Sequence, residues 1–210
     1  MEINKETMKV EEINLIKDFK IALKDMEPYV KDPNFLIKGK PFVNFSLRPR
    51  EAWANWLLCV VLRQLNGERI TFAEDPYGDG FIVDKNTGRI IQTEHVSALE
   101  NLFDELPKGE ARIIKRINLK IEKGNEYAKN KWLVVFFDGA GIVYRNKIRE
   151  NIKGRHNFEV VYCIGLLTSD KSGYSYAITE FKDSHGDKSI SFKVEINNDF
   201  TDWEVSQIIE

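Results

Sequence analysis

Asp79 stands between two glycines in the stretch EDPYGDGFIVDKNTGRIIQTEHV, and Gln92 and Glu94 follow it after 13 and 15 residues. Glycine on both sides lets the backbone bend, so a short carboxylate can project from the mouth of a strand. KNTG supplies a turn that folds RIIQTEHV back beside GFIVD. The end of the second strand then returns to the start of the first. Asp79 is expected near Gln92 and Glu94, which share one face by the two-residue period of a strand. Such a cluster presents hard oxygen atoms of the kind that Mg²⁺ and Mn²⁺ prefer. Glu51, near the start of the apolar stretch EAWANWLLCVVLRQL, offers a further carboxylate from the element beneath. An acid in the first turn of a helix also favours the macrodipole and needs no catalytic role. Glu74 and Asp75 could join the set, although Asp75 before Pro76 is an ordinary turn opener. His95 alternates with Glu94 and faces the other way, which suits a packed imidazole better than a base.

These side chains need a frame. Residues 8–26 place Ile13, Ile16, Phe19 and Leu23 at spacings of three and four, which predicts an amphipathic helix. Residues 29–47, with Pro33 and Pro41, read as a mostly irregular connection wrapped onto the core. Pro49 suits the first turn of a second helix, which runs without a breaker to the cap signal Asn66-Gly67 and is apolar nearly all round, hence central. Two or three strands follow from residue 68 and end in an antiparallel hairpin. A long basic helix is expected at 110–130, then the apolar strand WLVVFF, a short helix near IRENI and the apolar strand FEVVYCIGLL. Apolar strands separated by a helix predict a sheet covered on both faces. YSYAITEF and SISFKVEI add two more strands. The fold class is therefore α/β, with a mixed central sheet flanked by helices.

With these residues and elements in place, the chain resembles the PD-(D/E)XK, or restriction-endonuclease-like, nuclease superfamily. The resemblance rests on an acid on an early helix (Glu51), an Asp in a glycine-flanked turn (Asp79) and an acid-containing triplet on the next strand (Gln92-Thr93-Glu94). The element order matches the α-β-β-β-α-β core of that family over residues 48–167. It leaves 1–47 as a helical extension and 168–210 as a β extension of a single domain. The resemblance implies that Asp79 and the first triplet acid bind metal, and that a Lys in the third position orients or activates the attacking water. With Glu94 in the Lys position, the triplet reads Gln-x-Glu, as in some restriction endonucleases, and Gln92 is an auxiliary ligand or water-positioning group. With Glu94 as the first acid, it reads Glu-x-Val, and His95, Lys120 or Lys123 must replace the Lys. Either way the expected reaction is Mg²⁺- or Mn²⁺-dependent hydrolysis of phosphodiester bonds in DNA, or in RNA, with Asp79 and Glu94 as metal ligands. Phosphodiester attack needs charge on the phosphate neutralised and a water made more acidic.

Other readings fall on the residues themselves. DKNTGRIIQTE superficially follows a calcium-loop pattern, but Gly88 takes the fifth ligand place, Arg89 replaces the invariant Gly and Glu94 comes one residue early. There is no Walker lysine, dinucleotide glycine motif, zinc-spaced cysteine pair or nucleophile elbow. Residues 110–131 carry seven Lys or Arg against three Glu. On a helix, Arg112, Lys115 or Arg116, and Lys123 recur at spacings that form one stripe suited to tracking a phosphate backbone, and Lys120 or Lys123 is expected to contact phosphate. The plainer reading of that stripe is a solvated face over inward-turned isoleucines.

Over the whole chain, 31 Lys and Arg oppose 33 Asp and Glu, a net charge of −2, which excludes a strongly basic coat protein for nucleic acid. The balance is local, with acids at the hairpin and tail and cations at 110–155. Cys59 and Cys163 sit in apolar segments as buried thiols do, and a reducing cytoplasm is expected. No apolar run reaches a membrane span, and the start MEINKETMKVEE lacks a hydrophobic leader. A homodimer is compatible with these features. The alternative function is a catalytically inactive nuclease-like fold that binds nucleic acid or protein.

Overall fold

Pro49 opens the longest helix, α3 (Pro49–Asn66), and Gly67 closes it with φ 91°, a conformation natural to glycine. Between these stops the helix buries thirteen of its residues, including Trp53 and Trp56, whose rings stack 5.2 Å apart. A helix apolar all round must be covered all round. On one side it meets α1 (Phe19–Lys31) and α2 (Pro33–Lys38); on the other it packs on the sheet. The structure is a computed structural model that describes residues 14–16, 18–42, 47–75, 78–100, 107–137, 142–186 and 188–209.

The sheet has eight strands in sequential order: β1 (Ile70–Ala73), β2 (Phe81–Asp84), β3 (Arg89–Ser97), β4 (Lys131–Phe137), β5 (Val160–Asp170), β6 (Gly173–Phe181), β7 (Ile190–Asn197) and β8 (Trp203–Ile208). β3, β4 and β5 are parallel, and the remaining neighbours are antiparallel. Parallel pairing needs crossover elements. α4 (Gly109–Ile121) and α5 (Asn125–Ala128) join β3 to β4, and α6 (Arg145–Ile152) joins β4 to β5. The fold is thus mixed α/β, a central sheet with helices on both faces, and it contains the helix, three strands, helix and strand expected over the middle of the chain. No helix among the described residues is long and apolar enough to cross a membrane.

Alternation along β4 feeds two separate cores. Trp132, Val134 and Phe136 join the cluster beneath α3, while Leu133 and Val135 join the one beneath α4 and α6. Cys59 and Cys163 are free and buried. Tyr176 packs against Trp53, and Trp203 meets Trp56 edge-on at 5.1 Å. Both rings thus belong to the packing of the core beneath α3.

Three boundaries differ from the sequence pattern. Among the described residues the first helix starts at Phe19, because the Asp18 carboxylate caps the amides of Lys20 and Ile21 (2.8 and 3.0 Å), and residues 8–13 of the expected helix lie outside the described residues. Leu15 bridges Ala73 in extended conformation, and Ile13 lies outside the described residues. The connection expected to be irregular after residue 29 contains the end of α1, which runs through Pro28, and also α2, with Pro33 in its first turn behind Asp32. The basic helix expected over 110–130 is broken: α4 ends at Ile121, Gly124 takes φ 94°, and α5 starts at Asn125.

Candidate functional site

The hairpin register places the acids. Phe81 pairs with Gln92. One step further, the Gly80 carbonyl accepts hydrogen bonds from both the amide and the hydroxyl of Thr93, each 2.9 Å. The next step sets Asp79 beside Glu94. The Asp79 carboxylate does not hang free, because it accepts the backbone amide of His95 at 2.7 Å. Gly80 has φ 121°, and a Cβ there would lie 2.7 Å from the Asn55 amide of α3, so this bend needs glycine.

Glu94 points to the α4 face of the sheet. Lys120 of α4 donates to its Oε2 at 3.1 Å, and Lys131 at the start of β4 donates to Oε1 at 3.2 Å. Tyr127 of α5 donates a short hydrogen bond to the same Oε2. Burial would raise the Glu94 carboxyl, but Tyr127, Lys120 and Lys131 outweigh it and hold the pKa below the usual value. Asp79 moves the other way. Burial pushes its pKa up against the opposing His95 amide and the Lys120 charge, and the negative charge of Glu94 adds to the rise. Two neighbouring carboxylates are thereby driven apart, one fixed as an anion and one made more basic.

The remaining residues singled out in the sequence fall as follows. Glu51 is buried and accepts the Arg48 amide at 3.0 Å in the first turn of α3, with Arg50 at 3.6 Å. It caps its helix. Its carboxyl is raised by burial and further by the charge of Asp79, so it belongs to the same electrostatic group. Gln92 donates to the Asp75 carboxylate at 2.7 Å, which aims its amide at the β1–β2 loop rather than at Glu94. His95 is buried under α3 with Nε2 3.1 Å from Asn55 Oδ1, and burial together with Arg50 and Lys120 lowers its pKa to about 3. It is a neutral packed imidazole, and its backbone amide serves the site.

The stripe on the basic helix requires a correction. Arg112, read as a phosphate contact, is 2% exposed and donates to the carbonyls of Leu99 and Pro107, both at 2.9 Å. It ties α4 to the end of β3 because a side chain beside Ile113 is swept under the helix with it. Arg116 is half-buried, Lys120 is engaged with Glu94, and Lys123 is exposed and touches Tyr127.

The chain matches no family model, no curated protein and no solved structure.

Sequence reasoning missed Tyr127, Lys131 and Asn55. Lys131 had a signal, since it opens the apolar strand that lies parallel to β3 and so falls level with Gln92. Tyr127 had none, because the break at Gly124 sets its direction. Asn55 is the one amide in the wholly buried middle of α3. It donates to the Asp79 carbonyl at 3.5 Å and meets His95, so α3 holds both strands of the hairpin.

Whether these residues fit a metal follows from the donor set. Among the described residues, no three His, Cys, Asp or Glu side chains form a metal-holding group. Zn²⁺ and Ca²⁺ cages require more protein ligands than that. Mg²⁺ commonly takes one or two carboxylates and fills its other positions with water and substrate phosphate. Asp79 and Glu94 offer two such carboxylates, and both oxygens of Glu94 already accept hydrogen bonds from Lys120, Tyr127 and Lys131.

Proposed function

We propose that this protein is a nuclease of the PD-(D/E)XK type that hydrolyses phosphodiester bonds with Mg²⁺ or Mn²⁺, with DNA as its first substrate class and RNA as its second. The reading draws its support from one observation above the rest. Lys120 lies 3.1 Å from Glu94 and its charge acts on Asp79, so a lysine from the following helix stands where the strand triplet lacks one. This favours Glu94 as the first acid of the triplet. Asp79 and Glu94 would hold the metal, which supplies charge neutralisation at the phosphate and a more acidic bound water. Lys120 orients the attacking water and offsets charge on the phosphate oxygens. Asp79 would stand beside that water as the second ligand, its carboxylate positioned by the His95 amide. Glu51 acts through electrostatics behind Asp79, and Gln92 holds the β1–β2 loop through Asp75.

A second reading has its own support. Three donors already converge on the Glu94 carboxylate, and no third acid completes a cluster among the described residues. That favours a fold that binds nucleic acid without cutting it. The two readings part in a single assay. Single- and double-stranded DNA and RNA are incubated with the protein in Mg²⁺, Mn²⁺ and EDTA. Metal-dependent cleavage that Lys120→Met abolishes supports the nuclease. Binding that persists in EDTA, with no cleavage in either metal, supports the silent fold.

A further inference from the structure

Three ammonium groups crowd one phenol ring at the edge of this site. The Nζ atoms of Lys123, Lys131 and Lys120 lie 4.5, 4.6 and 5.8 Å from the centroid of Tyr127. Lys120 and Lys123 also stand 3.2 and 3.3 Å from its hydroxyl. Each cation gains from the ring face, but ammonium groups gathered so closely repel one another. Glu94 is the carboxylate in contact with the group, and Asp79 acts on Lys120 from further away. Lys123 has no carboxylate contact among the described residues. Three positive charges therefore meet one negative charge in contact and a second at longer range.

The ring fixes where the surplus is presented. Tyr127 is held edge-on to Phe158 at 6.2 Å, and its hydroxyl is pinned to Glu94, so it cannot swing to follow a ligand. Lys123 is exposed, whereas Lys120 and Lys131 are largely buried with side chains 15% and 17% exposed. An anion entering from the Lys123 side would meet one exposed and two largely buried ammonium groups. Lysine binds phosphate as a compact point charge with three donors, and several lysines around one phosphate satisfy its oxygens from different directions.

We infer that Lys123, Lys131 and Tyr127 form a binding site for a phosphate monoester beside the Asp79–Glu94 pair. Charge separates this ligand from a backbone diester. A diester carries a single negative charge, whereas a monoester carries about −1.5 to −2 at neutral pH, with its second pKa near 6, and so better matches a surplus of one to two. That the monoester is the phosphorylated end of a polynucleotide rests on the nuclease reading; the preference for phosphate does not. The chemistry is shared by a 5′-phosphate end, a 3′-phosphate end and free inorganic phosphate.

The test is binding in EDTA, so that no cleavage enters. Fluorescent single-stranded oligonucleotides with a 5′-phosphate, a 3′-phosphate or neither are titrated by anisotropy, with inorganic phosphate as competitor, at pH 5.5 and pH 7.5. The expected result is about tenfold tighter binding of one phosphorylated end at pH 7.5, narrowing at pH 5.5 as the monoester takes up its second proton, and lost in Lys123→Ala. Lys123→Arg keeps the charge and should keep most of the preference. Equal affinity for phosphorylated and unphosphorylated strands with no competition by inorganic phosphate, or a preference that Lys123→Ala leaves intact, overturns the site. Competition by inorganic phosphate without any oligonucleotide preference keeps a phosphate site and overturns its assignment to nucleic-acid ends. Failure of the nuclease reading appears elsewhere, as absence of cleavage in Mg²⁺ while the end preference in EDTA remains.

Discussion

The backbone amide of His95 donates to the Asp79 carboxylate at 2.7 Å, so the strand that bears Glu94 also positions the other acid of the pair. The two carboxylates are adjacent in the hairpin yet differently held. Lysines and a phenol neutralise Glu94, while Asp79 is buried with a single backbone donor and more distant cations.

That asymmetry predicts opposite stability effects. Glu94→Gln leaves Lys120, Lys131 and Tyr127 gathered around an uncharged group and should destabilise the fold by about 3 kcal/mol, as when one partner of a buried ion pair is removed. Asp79→Asn removes a carboxylate whose ionised form burial disfavours, and it should be neutral or slightly stabilising. Urea unfolding of both variants at pH 7 measures the difference. Equal destabilisation would contradict the assignment of charge states.

The same shifts set a pH dependence. Glu94 has its folded pKa below the ordinary value of 4.5, so its stabilisation is present above that pH and disappears as pH falls through the lowered value. Asp79 is raised above 3.8, so the folded state holds its proton longer, and this contribution is lost as pH rises through the raised value. The stability gap between the wild type and Glu94→Gln should therefore shrink between pH 6 and pH 3. A gap that is constant across this range would refute the paired shifts.

The hairpin and the buried helix were legible because they depend on local pattern. Period-two alternation and the KNTG turn fix the register that sets Phe81 beside Gln92, and Pro49 and Gly67 bound α3. Of the partners of Glu94, Lys120 was a candidate in the sequence, but its convergence with Lys131 and Tyr127 on one carboxylate was not legible. It comes from a parallel register, Gln92 beside Lys131, and from a helix break at Gly124, neither of which a single-sequence pattern encodes. Arg112 was misread for a related reason. Spacing of four puts it in line with Arg116 and Lys120, but the carbonyls of Leu99 and Pro107 that claim it lie in segments whose position only the tertiary fold sets.

Arg112→Met should accordingly act on stability and not on nucleic acid. Losing charged donors to two carbonyls should cost about 2 to 3 kcal/mol in thermal or urea unfolding. The affinity of the folded protein for DNA should stay within about twofold of wild type, where a phosphate-contacting arginine would reduce the affinity and its salt slope. A reduced salt slope in Arg112→Met would return this residue to the binding surface.

Gly80→Ala should distort the site from behind. The added Cβ meets the Asn55 amide at 2.7 Å in a backbone with φ 121°, which L side chains rarely adopt. A loss of about 1 to 3 kcal/mol is expected, and cleavage should fall further than the unfolded fraction explains, because Asp79 precedes the strained residue. Asn55→Ala in the same background should relieve the contact and recover part of the stability.

The most direct test is the single-turnover cleavage rate of DNA in Mg²⁺ by the wild type, Asp79→Asn, Glu94→Gln and Lys120→Met, each shown to be folded at the assay temperature. The expected result is cleavage by the wild type that EDTA stops, with each substitution lowering the rate by about 10² or more. Cleavage that persists in both acid variants, or a folded wild type that cuts no nucleic acid in Mg²⁺ or Mn²⁺, would contradict the assignment of Asp79, Glu94 and Lys120 as the catalytic group.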